Sequence, residues 1–185
     1  ALGVGVGDEV ITAANTFVAT VEAIHNAGAH PVLVDVRQDF TIDPEQIARA
    51  ITPKTKAILP VHLTGDVAEM KAILSLAERH GLSVVEDACQ AIGATYEGRS
   101  AGTMGVCGAF SLHPLKNLNV WGDGGVIVTA DPALEQRLRL LRNHGLKNRD
   151  EVELLGYNSR LDSIQAIVGS WLMPQVEGIT AQRNA

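Results

Sequence analysis

The chain has 185 residues, of which 46% are apolar and 19% charged, and its net charge at pH 7 is −6. This length and composition predict one folded domain with a core of ordinary size, and they exclude a disordered chain. The negative net charge argues against a partner such as nucleic acid or an anionic membrane, because both need a basic protein face. No apolar run is long enough to span a bilayer.

The cysteines and histidines indicate a reducing location and no metal. Cys89 and Cys107 are too few for a disulfide framework, so we expect the protein in the cytoplasm. The six histidines show no metal-ligand spacing, and two distant cysteines make a weak case for zinc. We therefore predict no metal site.

Short apolar runs alternate along the chain with helical patterns. The runs predict strands over 9–12, 31–35, 56–61, 83–86, 106–110 and 126–129. Apolar residues at spacings of three and four predict helices over 16–28, 66–80 and 132–144, which end at or near glycines. A short helix opens at Asp43, which precedes a proline and suits an N-cap.

This alternation predicts an α/β fold built as a three-layer sandwich. The strands are continuously apolar, which is typical of a mostly parallel sheet covered by helices on both faces. Ligands of such folds bind beyond the carboxyl ends of the strands. The segment from Glu86 to Gln90 follows the fourth strand, and Ser111 to Lys116 follow the fifth. We therefore expect these two segments to meet at one crevice.

Lys116 lies between Pro114 and a glycine-rich turn, and it is the candidate nucleophile. A lysine amine can form a Schiff base with an aldehyde, most usefully with pyridoxal phosphate. That cofactor needs an acid at its ring nitrogen, hydroxyls and amides at its phosphate, and a flat group over its ring. Asp87, Ser111 and Phe17 suit these three roles.

Each candidate also has an ordinary explanation. Most lysines are solvated, and Asp87 alone is more often a loop or N-cap residue. Ser111 could be a plain strand-end hydroxyl, and Phe17 a core residue. The functional interpretation rests on their joint placement.

Ordered motifs along nearly the whole chain resemble those of one protein family. They cover 7–12, 15–20, 60–63, 86–91, 111–117, 122–125, 142–145 and 156–162, and include Glu86-Asp-Ala-Cys-Gln-Ala91 and Ser111-Leu-His-Pro-Leu-Lys-Asn117. In these motifs the chain resembles the DegT/DnrJ/EryC1/StrS sugar aminotransferases. Those are fold-type I pyridoxal phosphate enzymes that act on nucleotide-linked keto-sugars.

The resemblance implies roles for individual residues. Lys116 would bind the cofactor aldehyde as a Schiff base and shuttle the proton at the substrate carbon. Asp87 would pair with the ring nitrogen, Gln90 would reach the ring hydroxyl, and Ser111 would bind the phosphate.

Two further roles follow from the same resemblance. Phe17 would stack on the cofactor ring. Asn158 would reach the phosphate of the cofactor in a neighbouring subunit, since the resemblance implies a homodimer with shared active sites. One motif departs from the family, because the segment His113-Pro-Leu-Lys116 lacks the usual hydroxyl residue before the lysine.

The implied reaction transfers an amino group, from glutamate as donor, to a keto-sugar nucleotide for polysaccharide, glycan or antibiotic sugar biosynthesis. Lys116 favours transamination, because dehydratase relatives carry histidine at that position. Two alternatives stay open: a substrate that is a cyclitol or an aminobenzoate-type ring, and a non-catalytic relative that binds sugar nucleotides or only dimerises.

Family members are longer than this chain. We therefore expect residues 1–170 to be a pyridoxal phosphate-binding large domain without its N-terminal phosphate loop. Residues 171–185 would be a helix leading to a small C-terminal domain. We expect the 185-residue piece alone to bind cofactor weakly and to turn over poorly.

Overall fold

The computed structural model describes all residues, 1–185. Six strands form one sheet in the spatial order β2-β1-β3-β4-β7-β8, and β5 and β6 form a separate hairpin. The first five strands of the sheet run parallel, and β8 pairs antiparallel with β7. The strands are β1 (Glu9–Ala13), β2 (His30–Val34), β3 (Thr55–Leu59), β4 (Ser83–Asp87), β5 (Thr95–Tyr96), β6 (Arg99–Ser100), β7 (Cys107–Ser111) and β8 (Gly125–Val128).

Six α-helices accompany the sheet, and short 3₁₀ turns occur at Leu63–Gly65 and Met173–Gln175. None of the helices combines the length and the apolar character needed to cross a membrane. The helices are α1 (Val18–Asn26), α2 (Pro44–Ala50), α3 (Met70–His80), α4 (Pro132–Arg142), α5 (Ser163–Leu172) and α6 (Val176–Arg183).

Helices cover both faces of the sheet, and the alternation of side chains on β1 shows it. Val10 packs in a cluster with Ile24 of α1. Its neighbour Ile11 points to the other face and packs in the main core with Ile47 of α2 and Ile73 of α3. The predicted three-layer α/β sandwich with a mostly parallel sheet is therefore confirmed.

All six predicted strands are present within two residues of their predicted limits. The β5–β6 hairpin was not predicted, because strands of two residues leave no periodic pattern. Its turn has positive φ at both Glu97 (49°) and Gly98 (78°), as a tight hairpin with the right-handed strand twist requires.

The predicted helix starts were less accurate. The second long helix begins at Met70 instead of residue 66, because Ala68 donates its N–H to His62 Nδ1 at 3.2 Å and so stays outside the helix. The predicted cap at Asp43 is confirmed: its Oδ1 accepts from Glu45 N at 2.9 Å, and Pro44 is the first helical residue.

The last predicted helix ends two residues early, at Arg142. Beyond it, His144 adopts φ +59° and donates its N–H to the Tyr157 carbonyl at 2.8 Å. This long-range pairing replaces the helical hydrogen bonds.

The predicted domain division stays a prediction. Residue 170 lies inside α5, which continues through the second 3₁₀ turn into α6. Val176 of α6 packs against the loop after β7 through Leu112, Leu118 and Val120.

Candidate active site

A cavity of about 270 Å³ opens at the carboxyl ends of β4 and β7. The two strands pair in parallel, with Asp87 opposite Ala109, so the segments after them leave the sheet side by side. This volume is near the lower end of the range for ligand pockets. The cavity is lined by Thr64, Ala88, Cys89, Gln90, Ile92, Phe110, Ser111, Leu115, Lys116 and Asn117.

Asp87 lies at the last position of β4, beside this cavity, and two hydrogen bonds fix its carboxylate. Thr20 of α1 donates its hydroxyl to Oδ2 at 2.7 Å, and Cys89 donates its N–H to Oδ1 at 3.1 Å. Since the Thr20 proton goes to Asp87, the Thr16 hydroxyl 2.8 Å away donates to Thr20. Helix α1 therefore sets the orientation of the candidate acid.

Sequence reasoning did not identify Thr16 and Thr20. Within the predicted helix 16–28 their spacing of four residues would put both hydroxyls on one face, and this was the available signal, although Thr16 precedes α1 in the structure. The partner of that face, however, is 67 residues away in sequence from Thr20. Only the folded chain reveals it.

Lys116 lies half-buried in the loop that follows β7. Its backbone N–H donates to the His113 carbonyl at 2.9 Å, and its own carbonyl accepts from Asn119 Nδ2 at 2.9 Å. The amine takes part in none of the ion pairs of the chain. The loop thus fixes the backbone of Lys116 and leaves its amine available to a ligand.

Gln90 and Ser111 each keep a donor for a ligand. Gln90 Oε1 accepts from Thr64 N at 2.8 Å, which leaves the Gln90 NH₂ group as the free end of the amide. Ser111 Oγ accepts from His113 N at 3.2 Å, which leaves the Ser111 O–H proton to donate elsewhere.

The pKa of the Cys89 thiol is influenced by both the candidate acid, Asp87, and the candidate amine, Lys116. Burial, the charge of Asp87 and a hydrogen bond with Asp87 together raise the pKa of the Cys89 thiol to about 12. The positive charge of Lys116 acts in the opposite direction. Asp87 and Lys116 therefore both lie within electrostatic reach of one thiol.

This shift predicts an unreactive thiol in the cofactor-free protein. At pH 8 a thiol with a pKa near 12 is deprotonated about a thousandfold less often than a free cysteine. We expect iodoacetamide to modify Cys89 correspondingly slowly, as measured by peptide mass spectrometry. Asp87→Asn should accelerate the modification because it removes a charge that raises the pKa, whereas the exposed control Asp150→Asn should not. Modification of wild-type Cys89 at the rate of a free cysteine would contradict this arrangement.

Phe17 and Asn158 lie outside the lining of the cavity. Phe17 is the N-cap residue of α1, one turn before Thr20, and 70% of the residue is exposed. This exposure excludes the core explanation for Phe17. Asn158 is exposed and pairs with Asn143, just after α4. Stacking by Phe17 and phosphate contact by Asn158 remain predictions.

The residues around the cavity fit pyridoxal phosphate. The available groups are an amine, a carboxylate held at a fixed orientation, a free amide NH₂ and a free hydroxyl. Phe110, Ile92 and Leu115 add apolar surface that suits a flat ring. The chemistry of this set matches the aldehyde, ring nitrogen, ring hydroxyl and phosphate of that cofactor.

Comparison with known proteins agrees with this chemistry. The profile of the DegT/DnrJ/EryC1/StrS aminotransferase family matches residues 1–185, and the enzymes of this family depend on pyridoxal phosphate. Over its full length the chain is 48% identical to dTDP-3-amino-3,4,6-trideoxy-alpha-D-glucose transaminase from Streptomyces venezuelae, and the match covers 49% of that protein. Over its full length it is also 52% identical to a pleiotropic regulatory protein from Geobacillus stearothermophilus, and this match covers 50% of that protein.

The fold agrees with a solved structure of the same family. The crystal structure of S. venezuelae DesV in complex with a ketimine intermediate superposes with a TM-score of 0.93 at 49% identity, over 96% of this chain and 48% of that one. The chain spans about half the length of the curated relatives it matches.

Proposed function

The chain belongs to the DegT/DnrJ/EryC1/StrS aminotransferase family, as its motifs predicted, and on that basis we propose that the complete protein is a pyridoxal phosphate-dependent transaminase. It moves an amino group, with glutamate as donor, to a nucleotide-linked keto-sugar. The observation that carries this proposal is the convergence of Lys116, Gln90 and Ser111 on one cavity, with Asp87 fixed beside it. The named transaminase relative supports the substrate class.

Lys116 and Asp87 have the central roles in this proposal. Bound pyridoxal phosphate supplies an aldehyde and an electron-withdrawing ring. The Lys116 amine would hold that aldehyde and would move the proton at the substrate carbon. The Asp87 carboxylate, anchored by Thr20, keeps a positive charge on the ring nitrogen.

The remaining residues bind and orient the cofactor. The free NH₂ group of Gln90 donates to the ring hydroxyl, and the Ser111 hydroxyl donates to the phosphate. Phe17, exposed at the start of α1, covers the ring face. These groups come from three different segments, so the orientation of the cofactor depends on the fold of the whole sheet edge.

We infer that the protein works as a homodimer in the cytoplasm. Helix α5 has no buried residue, although Ile164, Ile167 and Trp171 place apolar side chains at spacings of three and four along it. A second copy would cover this face and would bring its Asn158 towards the phosphate of the first copy.

The cytoplasmic location in this proposal is supported by the two unpaired cysteines, which fit a reducing compartment.

A non-catalytic regulatory role is the second candidate, and the name of the G. stearothermophilus relative favours it. A protein with that role has no need for a free amine beside an oriented carboxylate. If this candidate is correct, Lys116→Ala leaves the biological role of the protein intact.

The test is a half-reaction of the complete protein. We expect purified protein to carry a visible chromophore that glutamate bleaches and that a keto-sugar nucleotide restores. Borohydride should fix the cofactor on the peptide that contains Lys116. A colourless protein that borohydride does not label would overturn the proposal. A panel of keto-sugar nucleotides, with a keto-cyclitol and an aminobenzoate precursor as controls, identifies the substrate class.

A further inference from the structure

Glu86, the residue before Asp87, is a fully buried carboxylate with no solvent exposure. Its Oε1 accepts from the backbone N–H groups of Met104 and Gly105, each at 2.6 Å. Its Oε2 accepts from Gly102 N at 2.7 Å and from His62 Nε2 at 2.9 Å. Four donors fill the acceptor capacity of one carboxylate.

These donors keep Glu86 ionised. Burial is the largest single influence and would raise the pKa of Glu86. The hydrogen bonds from His62, Gly105, Gly102 and Met104 together outweigh it, so the pKa lies below the ordinary value for a glutamate. Glu86 is therefore an acceptor only, and it holds its partners at fixed positions.

His62 is also fully buried, and its two ring nitrogens have different partners. Nδ1 accepts from Ala68 N at 3.2 Å, so the ring proton lies on Nε2 and is donated to Glu86. One neutral tautomer satisfies both bonds. The imidazole thus links the segment after β3 to the end of β4.

The same two segments meet again at the cavity. His62 donates its backbone N–H to the Asp87 carbonyl at 3.0 Å, and Thr64 donates its N–H to the Gln90 side chain at 2.8 Å. The Glu86–His62 bond therefore lies next to both candidate cofactor-binding residues, Asp87 at the end of β4 and Gln90 in the segment just after it. Glu86 and Asp87 are neighbours on one strand, so their side chains point to opposite faces of the sheet. A shift of the Glu86 backbone therefore also moves Asp87.

The backbone donors of Glu86 lie behind the cavity wall. Gly102 packs so closely on Phe110 that a Cβ at this glycine would lie 2.5 Å from the ring, and 3.3 Å from the Ala88 side chain. Phe110 and Ala88 both line the cavity. The Glu86 carboxylate, by holding Gly102, thus fixes the position of this wall as well.

We propose that Glu86 and His62 form a positioning pair, which sets Asp87 and Gln90 for the cofactor by locking the segments after β3 and β4 together. The pair touches neither cofactor nor substrate. It acts through the backbone of β4 and through the segment 62–64. This inference rests on the proposed function, since it concerns the same site.

Two substitutions of His62, each to a side-chain amide, test its two hydrogen bonds one at a time in the complete protein. His62→Gln places an amide donor where Nε2 is, and so keeps the bond to Glu86. His62→Asn places an amide oxygen where Nδ1 is, keeps the bond from Ala68, and is too short to reach Glu86. Both side chains are smaller than histidine, and asparagine is smaller than glutamine by one methylene group.

We expect His62→Asn to weaken pyridoxal phosphate binding by about tenfold or more, whereas His62→Gln stays within about threefold of wild type. The dissociation constant is measured on folded protein by equilibrium dialysis. The visible spectrum of the bound cofactor is measured alongside, because it reports on the contact between Asp87 and the ring nitrogen. Only His62→Asn should change that spectrum.

Equal affinities and equal spectra for the two variants would show that the pair is merely structural, and would overturn the proposal. If His62→Asn does not fold, Glu86→Gln replaces it in the same comparison, with the same two outcomes. Failure of the proposed function looks different: in that case wild-type protein itself does not take up the cofactor or fix it on Lys116 with borohydride.

Discussion

Lys116→Ala in the complete protein is expected to abolish borohydride-dependent attachment of the cofactor. It is also expected to lower transamination turnover by about 10²- to 10⁴-fold through loss of proton transfer alone. The cavity offers no second amine, because Lys116 is the only lysine among its lining residues. Steady-state turnover with glutamate, and mass spectrometry of the reduced protein, measure the two effects.

Two controls separate this chemical effect from damage to the fold. Lys54→Ala makes the same substitution at an exposed position before β3, and should retain wild-type turnover. Small primary amines added to Lys116→Ala should restore part of the turnover, since they can take the place of the missing amine in proton transfer. Turnover of Lys116→Ala within a few-fold of wild type would remove Lys116 from the catalytic role.

The arrangement of the sheet could be predicted because its signals are local. Continuous apolar runs bounded by glycines and prolines place six strands within two residues. The rule that ligands bind beyond the carboxyl ends of parallel strands then brings Gln90, Ser111 and Lys116 together, and the structure places all three around one cavity. No long-range information was needed for this step.

Apart from the short β5–β6 hairpin, the missed features depend on contacts between distant segments. Thr20 orients Asp87 across 67 residues, and His62 meets Glu86 across 24. His62 Nδ1 also delays the start of α3 by holding Ala68 outside the helix. A buried histidine or glutamate has no sequence pattern of its own, because its location follows from partners that only the fold supplies.

The site therefore divides into two sets of residues. The residues that face the ligand are recognisable by type, since an amine, an acid and a hydroxyl at strand ends suggest chemistry. The residues that hold them in place, Thr20, His62 and Glu86, are ordinary in type and become visible through their hydrogen bonds. Preorganisation of the first set by the second is what gives a site its precision.

Asp87→Asn is the second substitution with a large expected effect. Asparagine has nearly the shape of aspartate, so it can still accept from Cys89 N with its Oδ1, while its NH₂ group faces the Thr20 hydroxyl. The substitution removes the negative charge that the proposal assigns to the ring nitrogen. We expect kcat to fall by about 10²- to 10³-fold, as for the loss of one preorganised electrostatic contact in other enzymes.

The pattern of effects around Asp87 tests the reason for this loss. Thr20→Val keeps the charge and removes only the hydroxyl that orients it, so its kcat should lie between those of wild type and Asp87→Asn. The exposed control Asp150→Asn should leave kcat unchanged. If Asp87→Asn kept wild-type kcat and changed only the KM for glutamate, the carboxylate would act on the donor substrate instead of the ring nitrogen. Stopped-flow measurement of the glutamate half-reaction distinguishes these outcomes, because it records the chemical step separately from substrate binding.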